Sequence, residues 1–365
     1  MNLKLFKNAL TIVCTFLITV ISVDGQNQQQ QRQGPRYPTQ KERDIMEAAL
    51  KYNKDPGSVL FGAHDPTLVK QDSVYYLFCS GNGSSSSTDL IHWKNDGPVF
   101  DKAPEWLTKD IIPEHSGRPG YWAPDVKLIN GTWYMFYCMS VHCKNTSAIG
   151  VATNKTLHRS DPDYKWVDKG MILYTVPNRD YFNAIDPQIV MVGQTGWLVF
   201  GSFWGGIKLV KLAPDLLSVA KPEEWYTLAA QPRTPNVPET DPGQAAIEGA
   251  FIYTRPGNVN YYYLFASIDH CCRGLDSSYK VIIGRSRNIG GPYLDREGKD
   301  LALGGGTVIA QGNERWAAVG HNTAYTMDGK SIIVMHGYDK LDNGASKLII
   351  REMKWGVDDW PTIDL

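Results

Sequence analysis

The stretch HDPTLVKQDSVYYLF (64–78) shows the pattern that decides the fold of this chain. Its acid, Asp65, is followed by an apolar pair, a polar turn and an aromatic-rich apolar run. The same pattern returns at intervals of roughly 60 residues. The positions that open the five copies are Asp65, Asp125, Asp186, Glu248 and His321 or Asn322. Strand, tight turn and strand, repeated five times, predict a radially repeated all-β fold, a five-bladed β-propeller.

The composition fits one large domain without a nucleic-acid partner. The chain has 365 residues, a formal net charge of −1 and 21% charged residues. Because no basic stripe or acidic tail stands out, nucleic acid is excluded as a partner. Aromatic residues make up 11% of the chain, and exposed aromatic rings can stack against the C–H faces of sugars. We expect a single propeller domain that acts as a monomer.

The N-terminal residues predict export. Lys4 and Lys7 precede an apolar run (9–23) that ends near small residues, so 1–25 is expected to be a signal peptide. The run is too short to favour a membrane span. Residues 26–55 are predicted to form a polar tether and a short helix with Thr39 as its N-cap, and 56–365 the catalytic propeller. The protein is therefore expected to be secreted, with an extracellular or periplasmic location.

Five cysteines remain after removal of the signal peptide. They are Cys79, Cys138, Cys143, Cys271 and Cys272. Their spacing does not resemble a zinc site. Cys271 and Cys272 are neighbours, which is a poor geometry for a bond between the two. We expect most of the five to be buried thiols, and the odd number leaves at least one without a partner inside the chain.

The repeat-opening residues are expected to ring one mouth of the central channel, because the innermost strand of each blade runs along it. Convergent carboxyl groups suit glycosidic hydrolysis, in which one carboxylic acid protonates the leaving oxygen and one carboxylate activates water or attacks the sugar. Crowding several carboxylates raises the pKa of at least one of them. Acids at strand entries often only bind backbone N–H groups, and this is the interpretation we favour for Asp125.

Eight short motifs occur in order between residues 62 and 361. They are HDPTLV, YWAPDV, NAIDPQIV, GSFWGGIKL, AIEGAF, FASIDHCCRG, GHNTAY and MHGYD. With these motifs the chain resembles the glycoside hydrolase family 43 arabinanases. The resemblance implies a secreted five-bladed β-propeller enzyme that cuts α-1,5-linked L-arabinan with inversion. Arabinan or an arabino-oligosaccharide is then the expected substrate.

The resemblance also implies roles for single residues. Asp65 matches the general base that activates water, and Glu248 matches the general acid that protonates the departing sugar oxygen. Asp186 matches a third carboxylate, which holds Glu248 protonated and aimed. His321 matches a channel histidine associated with a bound ion, usually calcium, whose shell is completed mainly by water. Calcium prefers oxygen ligands, so one histidine with waters would be an unusual site.

Substrate contacts are implied by the same resemblance. The matching positions are Trp122, Asn183, Ser202, Phe203, Trp204 and Cys272. Each aromatic residue could instead serve only packing. This alternative is weakest for Trp122, which comes shortly before the repeat-opening Asp125. The neighbours Cys271 and Arg273 are expected to be structural.

The mode of action follows from the same reasoning, with alternatives. Inversion needs space for a water, so the carboxyls of Asp65 and Glu248 are expected to lie roughly 6.5–9.5 Å apart. Endo action is expected, which requires a cleft that is open at both ends. An exo-acting α-L-arabinofuranosidase or β-xylosidase of the same clan is an alternative, although such relatives often carry a C-terminal β-sandwich for which no room is left here. A non-catalytic sugar-binding propeller, the other alternative, would not need a matched acid and base.

Overall fold

The computed structural model describes residues 36–118, 120–238 and 240–365. Within them, twenty strands form five four-stranded antiparallel sheets, each built from consecutive strands. This is the predicted five-bladed β-propeller. The predicted signal peptide (1–25) and the start of the polar tether lie outside the described residues. Among the residues that are described, no helix is both long and apolar enough to cross a membrane.

Each blade is one of these sheets. The first contains β1 (Thr67–Gln71), β2 (Val74–Phe78), β3 (Gly83–Ser87) and β4 (Lys94–Pro98). The second contains β5 (Trp122–Ile129), β6 (Thr132–Ser140), β7 (Ser147–Asn154) and β8 (Val167–Thr175). The third contains β9 (Gln188–Val192), β10 (Thr195–Phe200), β11 (Ile207–Lys211) and β12 (Trp225–Ala229). The fourth contains β13 (Ile247–Arg255), β14 (Asn258–Ile268), β15 (Lys280–Ser286) and β16 (Thr307–Ala310). The fifth contains β17 (Trp316–Met327), β18 (Lys330–Asp339), β19 (Ala345–Trp355) and β20 (Pro361–Ile363). Short 3₁₀ turns lie at Gly274–Asp276, Leu301–Leu303 and Lys340–Asp342.

The second strand of a blade is apolar on both faces, because each blade lies between two neighbours. In β2, Tyr75 and Leu77 pack into one core cluster, whereas Tyr76 and Phe78 pack into another. Successive side chains of a strand point to opposite faces of the sheet. A strand that is buried on both faces therefore reads as a continuous apolar run, which explains VYYLF and its later copies.

The first strand of every blade is preceded or interrupted by one residue in the left-handed region of backbone space. These residues are Asp65 (φ 52°), Ala123 (φ 38°), Asp186 (φ 58°), Gly249 (φ 58°) and His321 (φ 48°). In blades two, four and five the strand continues through this position, and its pairing register shifts there. Such a bulge turns the following residues relative to the strand axis. The five positions form the structural repeat at the channel mouth.

In two blades the left-handed residue is not the acid that opens the repeat in the sequence, so the alignment of the sequence repeats is corrected there. Asp125 comes two residues after Ala123, the left-handed residue of its blade, so it does not occupy the position of Asp65. Its carboxylate is buried and accepts the backbone N–H of Ile189 at 2.9 Å. Glu248 comes one residue before the left-handed Gly249. Asp125 therefore has the backbone-binding surroundings expected of a strand-entry acid.

Helix α1 (Gln40–Lys54) forms as the sequence predicts, with Thr39 as its N-cap. The Thr39 side chain accepts the N–H of Glu42, and the Glu42 carboxylate accepts the N–H of Thr39, a reciprocal capping box. The buried face contains Met46 and Ala49, which pack against side chains of blades one and five. Asn53 accepts the N–H of Ile350 in β19 at 3.0 Å. The helix thus covers the junction between the first and last blades.

Candidate active site

All ten residues selected from the sequence line one cavity of about 380 Å³. They are Asp65, Trp122, Asn183, Asp186, Ser202, Phe203, Trp204, Glu248, Cys272 and His321. Asp125 does not line it; it faces a smaller cavity that shares Asp65, Asp186 and His321 with the large one. The propeller therefore brings residues from all five blades and their loops to one site.

Asp65 lies among histidines. His64 Nδ1 is 2.8 Å from Oδ2 of Asp65, and His321 Nδ1 is 3.0 Å from Oδ1. The hydroxyl of Ser80 also donates to Oδ2. Burial by itself would raise the pKa of Asp65, but the charges of His321 and His64 and the hydrogen bond from His64 lower that pKa well below its usual range. Asp65 is accordingly an ionised carboxylate near neutral pH.

His336 and Tyr338 form a second layer of side chains, which holds Asp65 and His64 in place. His336 is fully buried, and its Nδ1 accepts the backbone N–H of Asp65 at 3.1 Å. Its hydrogen therefore lies on Nε2, which is 3.2 Å from the hydroxyl of Tyr338. The same hydroxyl lies 3.2 Å from Nε2 of His64, whose ring stacks on that of His336 at 4.1 Å between centroids. Burial and the neighbouring His64 lower the pKa of His336 well below its usual range, which keeps it neutral.

Asp186 shares the Asp-Pro sequence of Asp65 but has different neighbours. It is buried, and its Oδ2 accepts the backbone N–H of Gly249 at 3.0 Å. Burial, followed by the negative charges of Glu248 and Asp65, raises the pKa of Asp186 well above the usual range of an aspartate. The position after Glu248 must be small, since a Cβ on Gly249 would lie 3.1 Å from His321. This carboxyl group therefore retains a proton where Asp65 does not.

Glu248 is held by two hydroxyl donors from separate elements. Ser202 donates to Oε2 at 2.8 Å, and Tyr279 donates to Oε1 at 3.0 Å. Ser202 belongs to the loop between β10 and β11, and Tyr279 lies directly before β15. Fixing both carboxyl oxygens restricts the rotation of the side chain. The Glu248 carboxyl is thus oriented from both sides next to Asp186.

The aromatic residues of the cavity are unequal in their exposure. Trp122 is 36% exposed, which leaves a ring face open to a ligand. Phe203 is partly exposed and lies 6.1 Å from the ring of His270. Trp204 is only 3% exposed, so packing accounts for most of its surface. Asn183 is buried, and its side-chain oxygen accepts from Ser147 at 2.6 Å.

The cysteines correct the sequence-based expectation. Cys271 and Cys272 are bonded to each other, although we expected neighbouring cysteines to remain apart. Cys79, Cys138 and Cys143 are free, and of these only Cys138 is fully buried while Cys143 is exposed. The expectation of mostly buried thiols is therefore wrong. Both bonded residues line the cavity, because the loop after β14 carries them to its wall.

His321 borders the large cavity and also the smaller one, which measures about 20 Å³. Asn322 faces that smaller cavity as well, and both polar atoms of its buried amide have no hydrogen-bond partner. Such a space holds about one water molecule. In the described part of the chain, one other group has ligand atoms within 4.8 Å of one another: His64, Asp65 and His336. Hydrogen bonds already join these three residues.

Five residues around the carboxyls were not selected from the sequence. They are His64, Ser80, Tyr279, His336 and Tyr338. Three of them stand inside quoted motifs, His64 in HDPTLV and both His336 and Tyr338 in MHGYD, so a signal existed but gave no role. Ser80 and Tyr279 carry no sequence signal, because only the folding of distant strands brings them to the carboxyls.

The arrangement can perform acid–base chemistry. One carboxylate, Asp65, is held ionised by histidines, and one carboxyl, Asp186, is held protonated beside Glu248. Environments that push two carboxyl groups apart in pKa are the pattern by which one site supplies both a base and an acid. The open ring of Trp122 adds an apolar surface at the same cavity.

Comparison with known proteins places the chain in a family. A sequence model described as "Glycosyl hydrolases family 43" matches residues 59–361. An extracellular exo-α-(1→5)-L-arabinofuranosidase of Cellvibrio japonicus is 44% identical over 84% of this chain and 88% of the relative. An extracellular endo-α-(1→5)-L-arabinanase of Bacillus subtilis is 34% identical over 82% of this chain and 87% of the relative.

The fold comparison points the same way. A solved structure of Cellvibrio cellulosa α-L-arabinanase complexed with arabinohexaose superposes with a TM-score of 0.80 at 42% identity, and the match covers 84% of this chain and 96% of that one. The family match spans nearly all of the propeller. The chain belongs to glycosyl hydrolase family 43 and is a glycosidase.

Proposed function

We propose that this chain hydrolyses α-1,5-linked L-arabinan with inversion of configuration. The observation that carries the proposal is the contrast, within one cavity, between Asp65, which is held ionised, and Asp186, which retains a proton beside Glu248. The names of the relatives in Cellvibrio and Bacillus support arabinan as the substrate. The exposed ring of Trp122 offers a surface on which a furanose ring can stack.

The proposed reaction assigns one step to each side of the cavity. Asp65 takes a proton from a water molecule as the water oxygen bonds to the anomeric carbon. Glu248 gives a proton to the glycosidic oxygen as its bond to that carbon breaks. Burial and the negative charges of Glu248 and Asp65 raise the pKa of Asp186, so a proton is held next to Glu248. Ser202 and Tyr279 aim the Glu248 carboxyl.

Incubation with linear α-1,5-arabinan, followed by ¹H NMR of the first product, tests this function. Inversion predicts that the new reducing end appears first in the configuration opposite to that of the substrate linkage. The carboxyls of Asp65 and Glu248 are then expected to lie roughly 6.5–9.5 Å apart. Product that retains the configuration would reject inversion. Hydrolysis of xylan but not of arabinan would favour the β-xylosidase alternative. Binding of arabinan without any cleavage would favour a sugar-binding propeller.

Endo or exo action is a separate question. The sequence predicts endo action, as in the Bacillus subtilis relative at 34% identity. The Cellvibrio japonicus relative, at 44% identity, is named as exo-acting, and this favours exo action as the second candidate. Viscosity and reducing ends measured together on linear arabinan separate the two. A fall in viscosity well ahead of the reducing ends would support endo action, and steady release of one short product would support exo action.

Calcium in the channel is a further proposal. His321 and Asn322 would hold it, because they face the small cavity and the Asn322 amide has no other partner there. One nitrogen and one amide oxygen are few ligands for calcium, so water would complete the shell. Bound calcium would supply positive charge beneath the carboxyls. Metal analysis of purified wild-type protein and of His321→Ala tests the proposal, which fails if neither preparation contains calcium.

The location and assembly of the protein are proposed on similar grounds. Both curated relatives are named as extracellular, which supports secretion; the signal peptide predicted at 1–25 would direct it. We propose a monomer, as expected for a single propeller domain. Light scattering of the purified protein would reject this if it gave the mass of a dimer.

A further inference from the structure

The disulfide between Cys271 and Cys272 joins neighbouring residues at the wall of the active-site cavity. A disulfide stabilises a fold mainly by restricting the unfolded chain, and this effect grows with the length of the closed loop. A bond between sequence neighbours closes the shortest loop that a chain allows. It therefore contributes little to global stability, and its effect is local.

Locally, the disulfide meets the residues that hold Asp65. The backbone N–H of Cys272 donates to the hydroxyl of Tyr338 at 2.7 Å, and Sγ of Cys272 lies 3.7 Å from Nε2 of His64. The Tyr338 hydroxyl is in turn 3.2 Å from that same Nε2. The bonded pair thus fixes one side of a contact shared by Tyr338 and His64.

His64 passes this contact on to Asp65. Its Nδ1 is 2.8 Å from the Asp65 carboxylate, so the two ring nitrogens of His64 face Asp65 and Tyr338 respectively. His336 makes a second route, since its Nε2 meets Tyr338 and its Nδ1 accepts the N–H of Asp65. Any movement of the Cys272 backbone that frees Tyr338 therefore affects both supports of Asp65.

The disulfide is also accessible to a small reagent. Cys272 is exposed, Cys271 is partly exposed, and both line the cavity. The other three cysteines of the described residues are free thiols. A dithiol that enters the cavity would therefore find one disulfide to reduce in the described part of the chain.

We propose that the Cys271–Cys272 disulfide is a redox-sensitive positioning element for Asp65, and this rests on the function proposed above. A dithiol breaks the S–S bond by supplying two electrons and two protons; it becomes a disulfide itself, and both cysteines become thiols. The peptide between them then gains rotational freedom. The Cys272 N–H leaves Tyr338, and His64 and His336 lose the contact that orients them against Asp65.

The test is steady-state kinetics on linear α-1,5-arabinan with the folded full chain, before and after treatment with dithiothreitol. Reduction should add two reactive thiols, lower kcat by about tenfold or more and leave KM within roughly twofold, as expected when positioning rather than substrate binding is lost. The melting temperature should stay nearly unchanged. Reoxidation with diamide should restore kcat.

Tyr338→Phe is the matched variant, because it keeps the ring and removes the hydroxyl that joins the disulfide to His64. It should lower kcat in the oxidised state. Reduction of this variant should then cause less than about threefold further loss, because the two changes act through one contact and are not additive.

Three results would overturn the inference: a kcat that reduction does not change, a rise in KM alone, and an equal loss on reduction in wild type and Tyr338→Phe. A rise in KM alone would mean that the disulfide only touches sugar. If oxidised wild-type protein does not hydrolyse arabinan at all, the proposed function falls, and this inference with it. An active enzyme that ignores the dithiol overturns this inference alone.

Discussion

The first and third blades both open with an aspartate before a proline, and the two aspartates have nearly the same backbone conformation, with φ of 52° and 58°. Asp65 is surrounded by three histidines and a serine hydroxyl. Asp186 has Glu248 beside it and a single backbone donor, the N–H of Gly249. The same local motif thus yields an ionised carboxylate in one blade and a protonated carboxyl in the other.

This difference shows that the local motif determines where the carboxyl group lies, whereas the neighbouring residues determine whether it is ionised. Cationic partners favour the ionised form, and burial beside other carboxylates disfavours it. Two of the four neighbours of Asp65, His321 and His336, come from the fifth blade, which closes the ring next to the first. The neighbours of Asp186 come from the fourth blade. Each prediction below alters one side of this contrast.

Removing the charge of Asp65 or the proton donor at Glu248 should have the largest effect. We expect Asp65→Asn and Glu248→Gln each to lower kcat on arabinan by at least about a hundredfold, the usual loss for a general base or acid. Both substitutions keep the shape of the side chain, so the circular dichroism spectrum should not change. A folded variant with near-wild-type kcat on arabinan would remove that residue from the mechanism.

Asp125→Asn tests whether a buried acid that does not line the large cavity affects only the stability of the fold. Burial raises the pKa of Asp125 from an ordinary 3.8 to about 6. A raised carboxyl pKa means that folding stability falls as pH rises through that interval. Wild type should lose up to about 3 kcal/mol between pH 4 and pH 7 relative to Asp125→Asn. Urea unfolding at both pH values measures this difference. A folded but inactive Asp125→Asn would contradict the structural interpretation.

Asp186→Asn removes the protonated carboxyl of the third blade and puts no ionised carboxylate in its place. The amide can still accept the N–H of Gly249, but it has no proton to release. Because the substitution removes the carboxyl whose pKa is raised well above its usual range, the basic limb of the kcat/KM profile should move to lower pH. We expect about a tenfold loss at pH 7 that shrinks at pH 5. A loss that is equal at both pH values would show that the proton on Asp186 does not contribute to activity.

Removing the hydroxyl of Ser80 or of Ser202 should have the smallest effects, and each substitution serves as the control for the other. Ser80 donates to Asp65 and Ser202 donates to Glu248. Asp65 keeps two histidine partners after Ser80→Ala, so we expect about a threefold loss of kcat, near the worth of one ordinary hydrogen bond. Glu248 keeps only Tyr279 after Ser202→Ala, so its loss should be larger. A larger loss of kcat for Ser80→Ala than for Ser202→Ala would contradict this expectation.

The fold could be predicted largely from sequence because its signal is local and repeated. Each copy carries an apolar run that neighbouring blades bury on both faces, as in β2 and β14. The frame of the repeat is not fixed by this signal. Nothing in the spacing of Asp125 shows the bulge at Ala123, since a bulge inserts a residue without changing the apolar pattern. The sequence therefore aligns Asp125 with Asp65, although Asp125 lies two positions beyond the left-handed residue of its blade.

The sequence by itself determined the blade count and the helix with its cap, because periodicity and capping residues specify strands and helix ends. Its resemblance to a known family indicated ten residues that line the cavity. The tertiary structure decided the electrostatics. Asp65 receives His336 from 271 residues away, and the hydroxyl of Tyr338 reaches Cys272 across 66 residues. It also decided that Cys271 and Cys272 bond to each other. Charge state and hydrogen bonding depend on distances between blades, and these exist only once the ring has closed.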